Sequence, residues 1–243
     1  MNLLPVQQKK SKEPGDAVAM VQARRDFLAA GHYQPLRSAV VDMLKPLQPA
    51  SLVDIGCGEG YYTHAMAKWV SDVVGLDIAK PAIRYAAKSD KKIQWLVANG
   101  AHLPLADHSA DMVTSLFSPL PVEEMARVLK PGGYLLMVTP GANHLGSIRS
   151  ALFESLIPHQ PDKFLQHLAP RFTLIQREEI RFPLTLPQAA LRLVLMMTPY
   201  AWRAKAEQRA AVEARESMDT EAEFTIFLLK EVSPEQETTT DQP

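Results

Sequence analysis

Short apolar runs and helix-spaced apolar positions alternate along the middle of the chain. Five runs have the length and composition of buried strands, at residues 52–55, 73–76, 93–98, 111–116 and 134–139. Three other segments repeat apolar residues at helical spacing, at residues 63–70, 81–88 and 122–129. Strands that alternate with helices form parallel βαβ units, so the pattern predicts an α/β fold with a doubly wound, Rossmann-like sheet.

The segments on either side of this alternation are richer in helix. Two helices are predicted before it, over residues 17–30, which Gly31 is placed to end, and over residues 34–44. After residue 140 the pattern predicts helices over 145–156, 162–168, 188–197 and 205–216, and strands over 172–182 and 223–231. The two late strands would extend the mostly parallel sheet as an antiparallel edge.

These elements divide the chain into three predicted parts. Residues 1–45 form an N-terminal basic arm followed by helices, and the arm carries Lys9, Lys10 and Lys12. Residues 46–232 form the α/β domain, with a helical insertion around 185–218. Residues 233–243 are polar and acidic, a composition typical of a disordered tail.

Composition narrows the class of protein. The 243 residues carry a formal net charge of -1, so a nucleic-acid partner would need a local basic patch. A single cysteine, Cys57, excludes an internal disulfide framework and a zinc site built on cysteine pairs, and the histidines are scattered. The first residues do not resemble a signal peptide, and no apolar run matches a membrane span. A cytoplasmic protein without a membrane partner or a metal site is therefore expected.

The turn after the first predicted strand carries the strongest chemical signal. Residues 53–63 read VDIGCGEGYYT, with Gly56, Gly58 and Gly60 leading into a helix. Glycines remove the β-carbons where a ligand approaches the backbone. Dinucleotide-binding enzymes use a related loop, but Asp54 would repel a pyrophosphate and attract an ammonium group, directly or through water. The loop therefore favours S-adenosylmethionine as the cofactor.

Two further segments extend this predicted pocket. Asp77 closes the second strand, where a carboxylate accepts hydrogen bonds from both hydroxyls of a ribose. Residues 98–105, which include Asn99, follow the third strand and are placed to line an adenine pocket. The alternative is an ordinary Rossmann glycine turn beside a solvated Asp77.

In order and spacing, these segments and residues 129–135 resemble class I methyltransferases over residues 52–140. Further stretches sharpen the resemblance, at residues 2–6, 14–16, 23–28, 31–36 and 197–204, the last reading MTPYAWRA. With the glycine loop, they resemble the bacterial 23S rRNA (guanine-N1)-methyltransferases over residues 2–230. In those proteins a small Cys/His zinc module precedes the segment with which this chain begins, so no zinc is expected in this chain.

The resemblance implies methylation of a guanine ring nitrogen in a hairpin loop of 23S rRNA, with S-adenosylmethionine as the methyl donor. It implies that Tyr33 and His144 reach the cofactor, with Gly58, Glu59 and Gly60 along its length and Asp77 on its ribose. With the residues taken from the motifs themselves, the predicted cofactor-binding set is Tyr33, Asp54, Gly56, Gly58, Glu59, Gly60, Tyr61, Asp77, Asn99 and His144.

Methylation of a guanine at N1 removes the proton from that nitrogen, so the site needs a proton acceptor. The loop after the fourth strand, residues 115–121, has no carboxylate, and Glu59 and His144 are the candidates that remain. Phe117 in this loop either stacks on a flipped base or packs in the core. The sequence does not decide between these two positions.

Other candidate RNA contacts also have two interpretations. Tyr200 and Trp202 either clamp a base beside Arg203 or form a helix-end cluster packed on the sheet. Arg24 and Arg25, with the lysines of the arm, either face the RNA backbone or belong to a solvated helix face.

Two other functions compete with rRNA methylation. A small-molecule methyltransferase on the same core fits the near-neutral charge but does not explain the motif-rich segment before the first strand. A cofactor-binding protein that acts in ribosome assembly without catalysis would not need a complete cofactor site. Any of the three is compatible with a homodimer.

Overall fold

The computed structural model describes residues 1–4 and 14–232, apart from the side chain of residue 201. Within these ranges seven strands form one sheet, in the order β3-β2-β1-β4-β5-β7-β6. The strands are β1 Ser51–Ile55, β2 Asp72–Asp77, β3 Gln94–Val97, β4 Ala110–Leu116, β5 Leu129–Pro140, β6 Phe172–Pro187 and β7 Ser217–Glu231. The first five are parallel, whereas β7 pairs antiparallel with both of its neighbours. The predicted fold class and antiparallel edge are therefore confirmed.

Helices cover both faces of the sheet. They are α1 Val18–Ala29, α2 Gln34–Leu44, α3 Tyr61–Met66, α4 Lys80–Ser89, α5 Val122–Val128, α6 Gly146–Leu152, α7 Leu165–Leu168, α8 Gln188–Met197, α9 Tyr200–Arg203 and α10 Ala206–Glu213. The bounds of α2 and α8 are those predicted. The predicted helix 145–156 was too long, because Phe153 already has extended backbone angles.

The last two strands are longer than predicted. β6 and β7 pair continuously from Phe172 with Glu231 to Pro187 with Ser217. Most of β6 is exposed, so it lacks the apolar alternation that marks a half-buried strand. Pro183 lies within β6, which the sheet tolerates because β6 is the edge strand.

Two hydrophobic cores lie on opposite faces of the sheet. In β7, Ile226 and Leu228 belong to one core, whereas Phe227 and Leu229 belong to the other. Successive side chains of a strand point to opposite faces of the sheet, so this alternation is expected for a strand that is buried on both faces. Phe27 of α1 and Leu36 of α2 share the first core. Helix α2 packs on β6 and β7, whereas α1 packs on α8 and α4, so both N-terminal helices belong to the same body.

The N-terminal residues of the chain pair with the edge strand β3. Residues at the N-terminus lie beside β3, where Val97 donates to the carbonyl of Met1 at 2.8 Å and accepts from the amide of Leu3 at 2.8 Å. Lys9, Lys10 and Lys12 and the tail 233–243 lie outside the described residues. The division of the chain into three parts stays a prediction. None of the described helices is both long enough and apolar enough to span a membrane.

The sheet has its switch point between β1 and β4. The chain runs outward from β1 to β2 and β3 on one side, and continues from β4 to β5 on the other. At such a point the loops after neighbouring strands diverge and leave a crevice at their carboxyl ends.

Candidate active site

A cavity of about 890 Å³ opens at the carboxyl ends of the parallel strands. It brings together most of the residues predicted for the cofactor or the base, namely Tyr33, Asp54, Gly56, Gly58, Glu59, Tyr61, Asp77, Asn99, Phe117, His144 and Tyr200. Gly60 and Trp202 are not among the residues that line it. Sequence segments that lie far apart therefore converge on one site.

The cavity has two halves that differ in their walls. The glycine-loop half is formed by the loop after β1, the end of β2 and residues 98–101. The aromatic half is formed by Phe117, His144, His159, Tyr200 and Phe224. The two halves lie on opposite sides of the switch point. The glycine-loop half lies at the ends of strands β1 to β3, and the aromatic half lies beside strands β4, β5 and β7.

The three glycines of the loop have three different roles, although all have positive φ angles of 56–88°. A β-carbon on Gly56 would lie 2.4 Å from Cβ of Ser118. A β-carbon on Gly58 would meet nothing within 4 Å, because this residue borders the open cavity. A β-carbon on Gly60 would lie 2.7 Å from the ring of Trp95. Gly60 is therefore needed so that the ring of Trp95 can pack against the backbone, whereas Gly58 presents bare backbone to a ligand.

Asp77 is held rigidly at the end of β2. Its Oδ2 accepts from the amide of Gly58 at 3.0 Å, and its Oδ1 accepts from the amide of Ala79 at 2.7 Å. Burial raises the pKa of this carboxyl, and the two amide bonds oppose that rise. Each oxygen keeps a further lone pair, so the fixed carboxylate can accept from hydroxyl donors in the cavity.

Asp54 has a structural role that its position in the motif did not reveal. Its Oδ1 accepts from the hydroxyl of Thr114 at 2.8 Å, and its Oδ2 accepts from the hydroxyl of Thr63 at 2.6 Å. Burial raises the pKa of Asp54 to about 6, against the effect of both hydroxyls. The carboxylate therefore ties β1 to α3 and β4 while it also lines the cavity.

Glu59 carries a buried oxygen that needs a donor. Within the described residues, its Oε2 has no hydrogen-bond partner, and the side chain is 8% exposed. Burial is also the main cause that raises the pKa of this carboxyl. A buried acceptor without a donor is costly, so this atom fits a ligand with an ammonium or hydroxyl group.

Arg24 lies in the cavity wall rather than on a free helix face. Its Nη2 pairs with Oδ2 of Asp16 at 2.7 Å, and both residues line the cavity. The neighbouring Arg25 pairs with Asp26 at 2.8 Å and lies over the ring of Tyr85. Both arginines that were candidates for a basic RNA-binding face are thus paired with an acid.

His144 and Tyr33 form a buried pair at the boundary of the two halves. The amide of Glu223 donates to Nδ1 of His144 at 3.2 Å, so the proton of the neutral ring is on Nε2. Nε2 lies 3.3 Å from the hydroxyl of Tyr33, to which it therefore donates. Burial lowers the pKa of His144 to about 3. His144 is thus a hydrogen-bond donor, which corrects its candidacy as a proton acceptor.

Phe117 belongs to the cavity wall and not to the core. Its side chain is 45% exposed, and its φ of 61° lies in the left-handed region that few non-glycine residues adopt. The ring packs against Phe224, with 5.5 Å between centroids, and against Tyr62 at 6.4 Å. This strained conformation presents an aromatic face to whatever occupies the aromatic half.

Tyr200 and Trp202 have different surroundings, although both lie in α9. Tyr200 lines the cavity and its hydroxyl lies 3.1 Å from Nε2 of His159. Trp202 is 68% exposed and does not line the cavity, so it neither packs on the sheet nor faces the space where Tyr200 lies. The side chain of Trp202 therefore lies outside the cavity wall, although it belongs to the same short helix as Tyr200.

His159 is a site residue that the sequence analysis missed. It lies in an irregular segment after α6, where no periodicity indicates its position. Arg149 fixes this segment, because its guanidinium donates to the carbonyls of Ala142 and Ile157. Over residues 1–4 and 14–232, no group of three His, Cys, Asp or Glu residues could hold a metal ion. The expectation that the chain binds no zinc stays a prediction.

Comparison with known proteins identifies the family. Residues 53–137 match the family described as methyltransferase domain. A 23S rRNA (guanine(748)-N(1))-methyltransferase from Streptomyces fradiae is 34% identical over 218 residues, which cover 86% of this chain and 77% of the relative. This chain belongs to the 23S rRNA (guanine-N1)-methyltransferase family. It is therefore an S-adenosylmethionine-dependent methyltransferase, as the glycine loop predicted.

Two further similarities concern the family and the fold. A candidate 23S rRNA (guanine-N(1)-)-methyltransferase from Bacillus subtilis strain 168 is 29% identical over 82% of this chain and 74% of its own length. The crystal structure of a candidate methyltransferase from Bacillus halodurans has a TM-score of 0.57 at 18% identity, and covers 80% of this methyltransferase and 98% of that chain. The second similarity concerns the fold alone.

Proposed function

We propose that this methyltransferase transfers a methyl group from S-adenosylmethionine to N1 of a guanine in a hairpin loop of 23S rRNA. The observation that carries the proposal is one cavity with two unlike halves, a glycine loop facing a wall of aromatic rings. The name of the Streptomyces fradiae relative supplies the substrate class.

The glycine-loop half fits S-adenosylmethionine in its chemistry. The bare backbone at Gly58, the fixed carboxylate of Asp77 and the unpaired Oε2 of Glu59 offer acceptors and space to a ligand with hydroxyl and ammonium groups. Asn99 and its neighbours close this half where the adenine ring would lie. When bound, the cofactor supplies a methyl group on a positively charged sulfur.

The aromatic half fits a nucleobase taken out of its stack. Phe117 presents an exposed ring at the end of β4, and Phe224 and Tyr200 bound the same space. Aromatic rings stack on single-stranded bases with little dependence on sequence, and flipped bases are read in such pockets. Alignment of the base with the methyl group is the main contribution expected of the protein.

A basic groove beside the cavity favours an RNA over a small molecule. The α2–α3 groove is lined by Arg37, Asp42, Lys45, Lys68 and Trp69 among others, and it keeps an excess of positive charge although Lys45 pairs with Asp42 at 2.9 Å. Lys45 Nζ lies 4.5 Å from the ring centroid of Trp69, which is 54% exposed. The guanidinium of Arg37 lies 4.6 Å from the ring centroid of Tyr61, a residue of the cavity wall, so one contact links the groove to the site. Such a groove suits a phosphate backbone with unstacked bases.

The proposal is tested by the destination of a labelled methyl group. The purified protein is incubated with labelled S-adenosylmethionine and either unmodified 23S rRNA or a pool of small metabolites, and methylated RNA is digested to nucleosides. We expect 1-methylguanosine from the RNA, with binding that weakens steeply as salt is added. Label in the metabolites alone would favour a small-molecule enzyme, and cofactor binding without transfer would favour a non-catalytic role.

The proposal also covers the cofactor-binding residues and the number of chains in the active protein. We assign the predicted cofactor set to this site without Gly60, whose surroundings are packed. One copy of the chain supplies every residue named in this proposal, and sedimentation of the purified protein would show whether it forms a homodimer.

A further inference from the structure

The aromatic half contains a polar pair that cofactor binding leaves unused. His159 and Tyr200 both line the cavity, and His159 Nε2 lies 3.1 Å from the hydroxyl oxygen of Tyr200. They come from two distant segments, the irregular stretch after α6 and the short helix α9. Phe153 packs edge-on against Tyr200, with 6.3 Å between ring centroids, and helps to fix that ring.

The chemistry of the two groups gives this hydrogen bond a direction. A phenol is the better proton donor of the two, and a neutral imidazole nitrogen is the better acceptor. Burial raises the pKa of Tyr200, so its hydroxyl keeps its proton. The O–H of Tyr200 therefore donates to Nε2 of His159, and the lone pairs of the hydroxyl oxygen are left for a donor in the cavity.

The charged and titratable groups around His159 keep its ring neutral. Burial is the main cause that lowers its pKa, and Arg149 and Lys163 lower it further, whereas Glu223 opposes them. His144 also lines the cavity and interacts with His159 electrostatically. At neutral pH the imidazole of His159 is therefore neutral and can accept one proton.

Four other polar side chains of the cavity are less suited to receive the N1 proton. His144 has Nδ1 occupied by the amide of Glu223 and already carries its proton on Nε2. Tyr33 accepts from His144 and stays protonated, because burial raises its pKa. Asp54 is occupied by two threonine hydroxyls, and Glu59 lies in the glycine-loop half.

We propose that His159 is the proton acceptor for the guanine N1 proton, and that the hydroxyl of Tyr200 passes the proton to it. This inference rests on the proposed function. Methyl transfer forms the bond between N1 and the methyl carbon and breaks the bond between sulfur and that carbon. The N1–H electrons stay on the base while its proton moves to Oη of Tyr200, and the former hydroxyl proton moves to Nε2 of His159. The sulfonium charge is thus replaced by an imidazolium charge, so atoms and charge balance.

The first test is the pH profile of methyl transfer to 23S rRNA. For the wild type, kcat should fall as the pH falls through the pKa of His159, which burial lowers from its ordinary value, because the protonated ring cannot accept a proton. In His159→Asn, kcat should fall by about 10²–10⁴-fold with little change in KM for the RNA. The acidic limb of the profile should also disappear. Tyr200→Phe, which keeps the ring, should lose the same limb.

Alkaline pH separates a chemical role from a structural one. As solvent hydroxide begins to remove the N1 proton, His159→Asn should approach the rate of the wild type. The matched control is His167→Asn, an exposed histidine of α7, which should keep both the rate and the profile of the wild type. A His159→Asn variant with an intact acidic limb, or with a loss that no pH restores, would overturn the inference.

A spectroscopic test is independent of activity. In protein with labelled histidines, the ring titration lost in His159→Asn identifies His159. The pKa of His159 should lie below the ordinary value for histidine and should change in Tyr200→Phe. An unchanged His159 titration in Tyr200→Phe would contradict the pairing. If the wild type makes 1-methylguanosine but His159→Asn is unaffected, only the inference fails. If the wild type transfers no methyl group to RNA, the proposed function fails first.

Discussion

The two halves of the cavity are built in different ways. The glycine-loop half comes mainly from one stretch of chain around β1 and β2, where Gly58 and Asp77 are joined by a single hydrogen bond. The aromatic half gathers Phe117, His159 and Tyr200 from three elements that are remote in sequence. A site for a common cofactor can be encoded locally, whereas a site for a particular nucleotide here depends on how distant segments pack.

The largest expected effect concerns the tightest contact of the glycine-loop half. Gly56→Ala would place a β-carbon 2.4 Å from Cβ of Ser118 at a φ of 73°, so strain and overpacking add. We expect the free energy of unfolding to fall by about 3 kcal/mol, together with loss of cofactor binding. Denaturant unfolding and calorimetry measure both quantities. Gly146→Ala, whose β-carbon meets nothing within 4 Å, is the control and should behave as the wild type.

The next effect tests whether the fixed carboxylate recognises the cofactor. Asp77→Asn keeps the shape but loses charged acceptors, and should weaken S-adenosylmethionine binding by about 1–3 kcal/mol without changing affinity for RNA. Isothermal titration measures both affinities. Asp72→Asn, at the exposed start of the same strand, serves as the control. An unchanged cofactor affinity in folded Asp77→Asn would remove this residue from the site.

The aromatic half should show the opposite selectivity. Phe117→Ala removes the stacking ring and should weaken binding of the RNA hairpin by about 1–3 kcal/mol, with cofactor affinity retained. Phe117→Gly should lose RNA affinity equally but be more stable than Phe117→Ala by about 1 kcal/mol, because glycine tolerates the φ of 61°. Equal losses of cofactor and RNA affinity would argue that the two halves are not separate sites.

The smallest effect belongs to the α2–α3 groove. Lys68→Gln should reduce the slope of log affinity against log salt by about 1, with less than about 1 kcal/mol lost at any one salt concentration. Lys88→Gln removes the same charge from the exposed end of α4 and is the matched control. Filter binding over a salt series distinguishes them. Identical slopes for both variants would place the RNA backbone elsewhere.

Sequence patterns predicted the parallel core well because its signals are local. Strands β1 to β4 follow short apolar runs, and the helix bounds of α2 and α8 follow helical spacing of apolar residues. The patterns failed where exposure removes the signal, as in the extension of β6 beyond Phe182. They also left the position of Trp202 open, because the exposure of its side chain depends on how α9 packs.

The sequence by itself determined the class of fold, the glycine loop and the family to which the chain belongs. These follow from local spacing, because a turn that needs positive φ angles and a strand buried on both faces restrict the residues that can form them. Only the tertiary structure decided that Asp54 joins three elements, that His144 carries its proton on Nε2, and that His159 meets Tyr200. The direction of a hydrogen bond and the burial of a titratable group depend on partners that the fold brings from elsewhere in the chain.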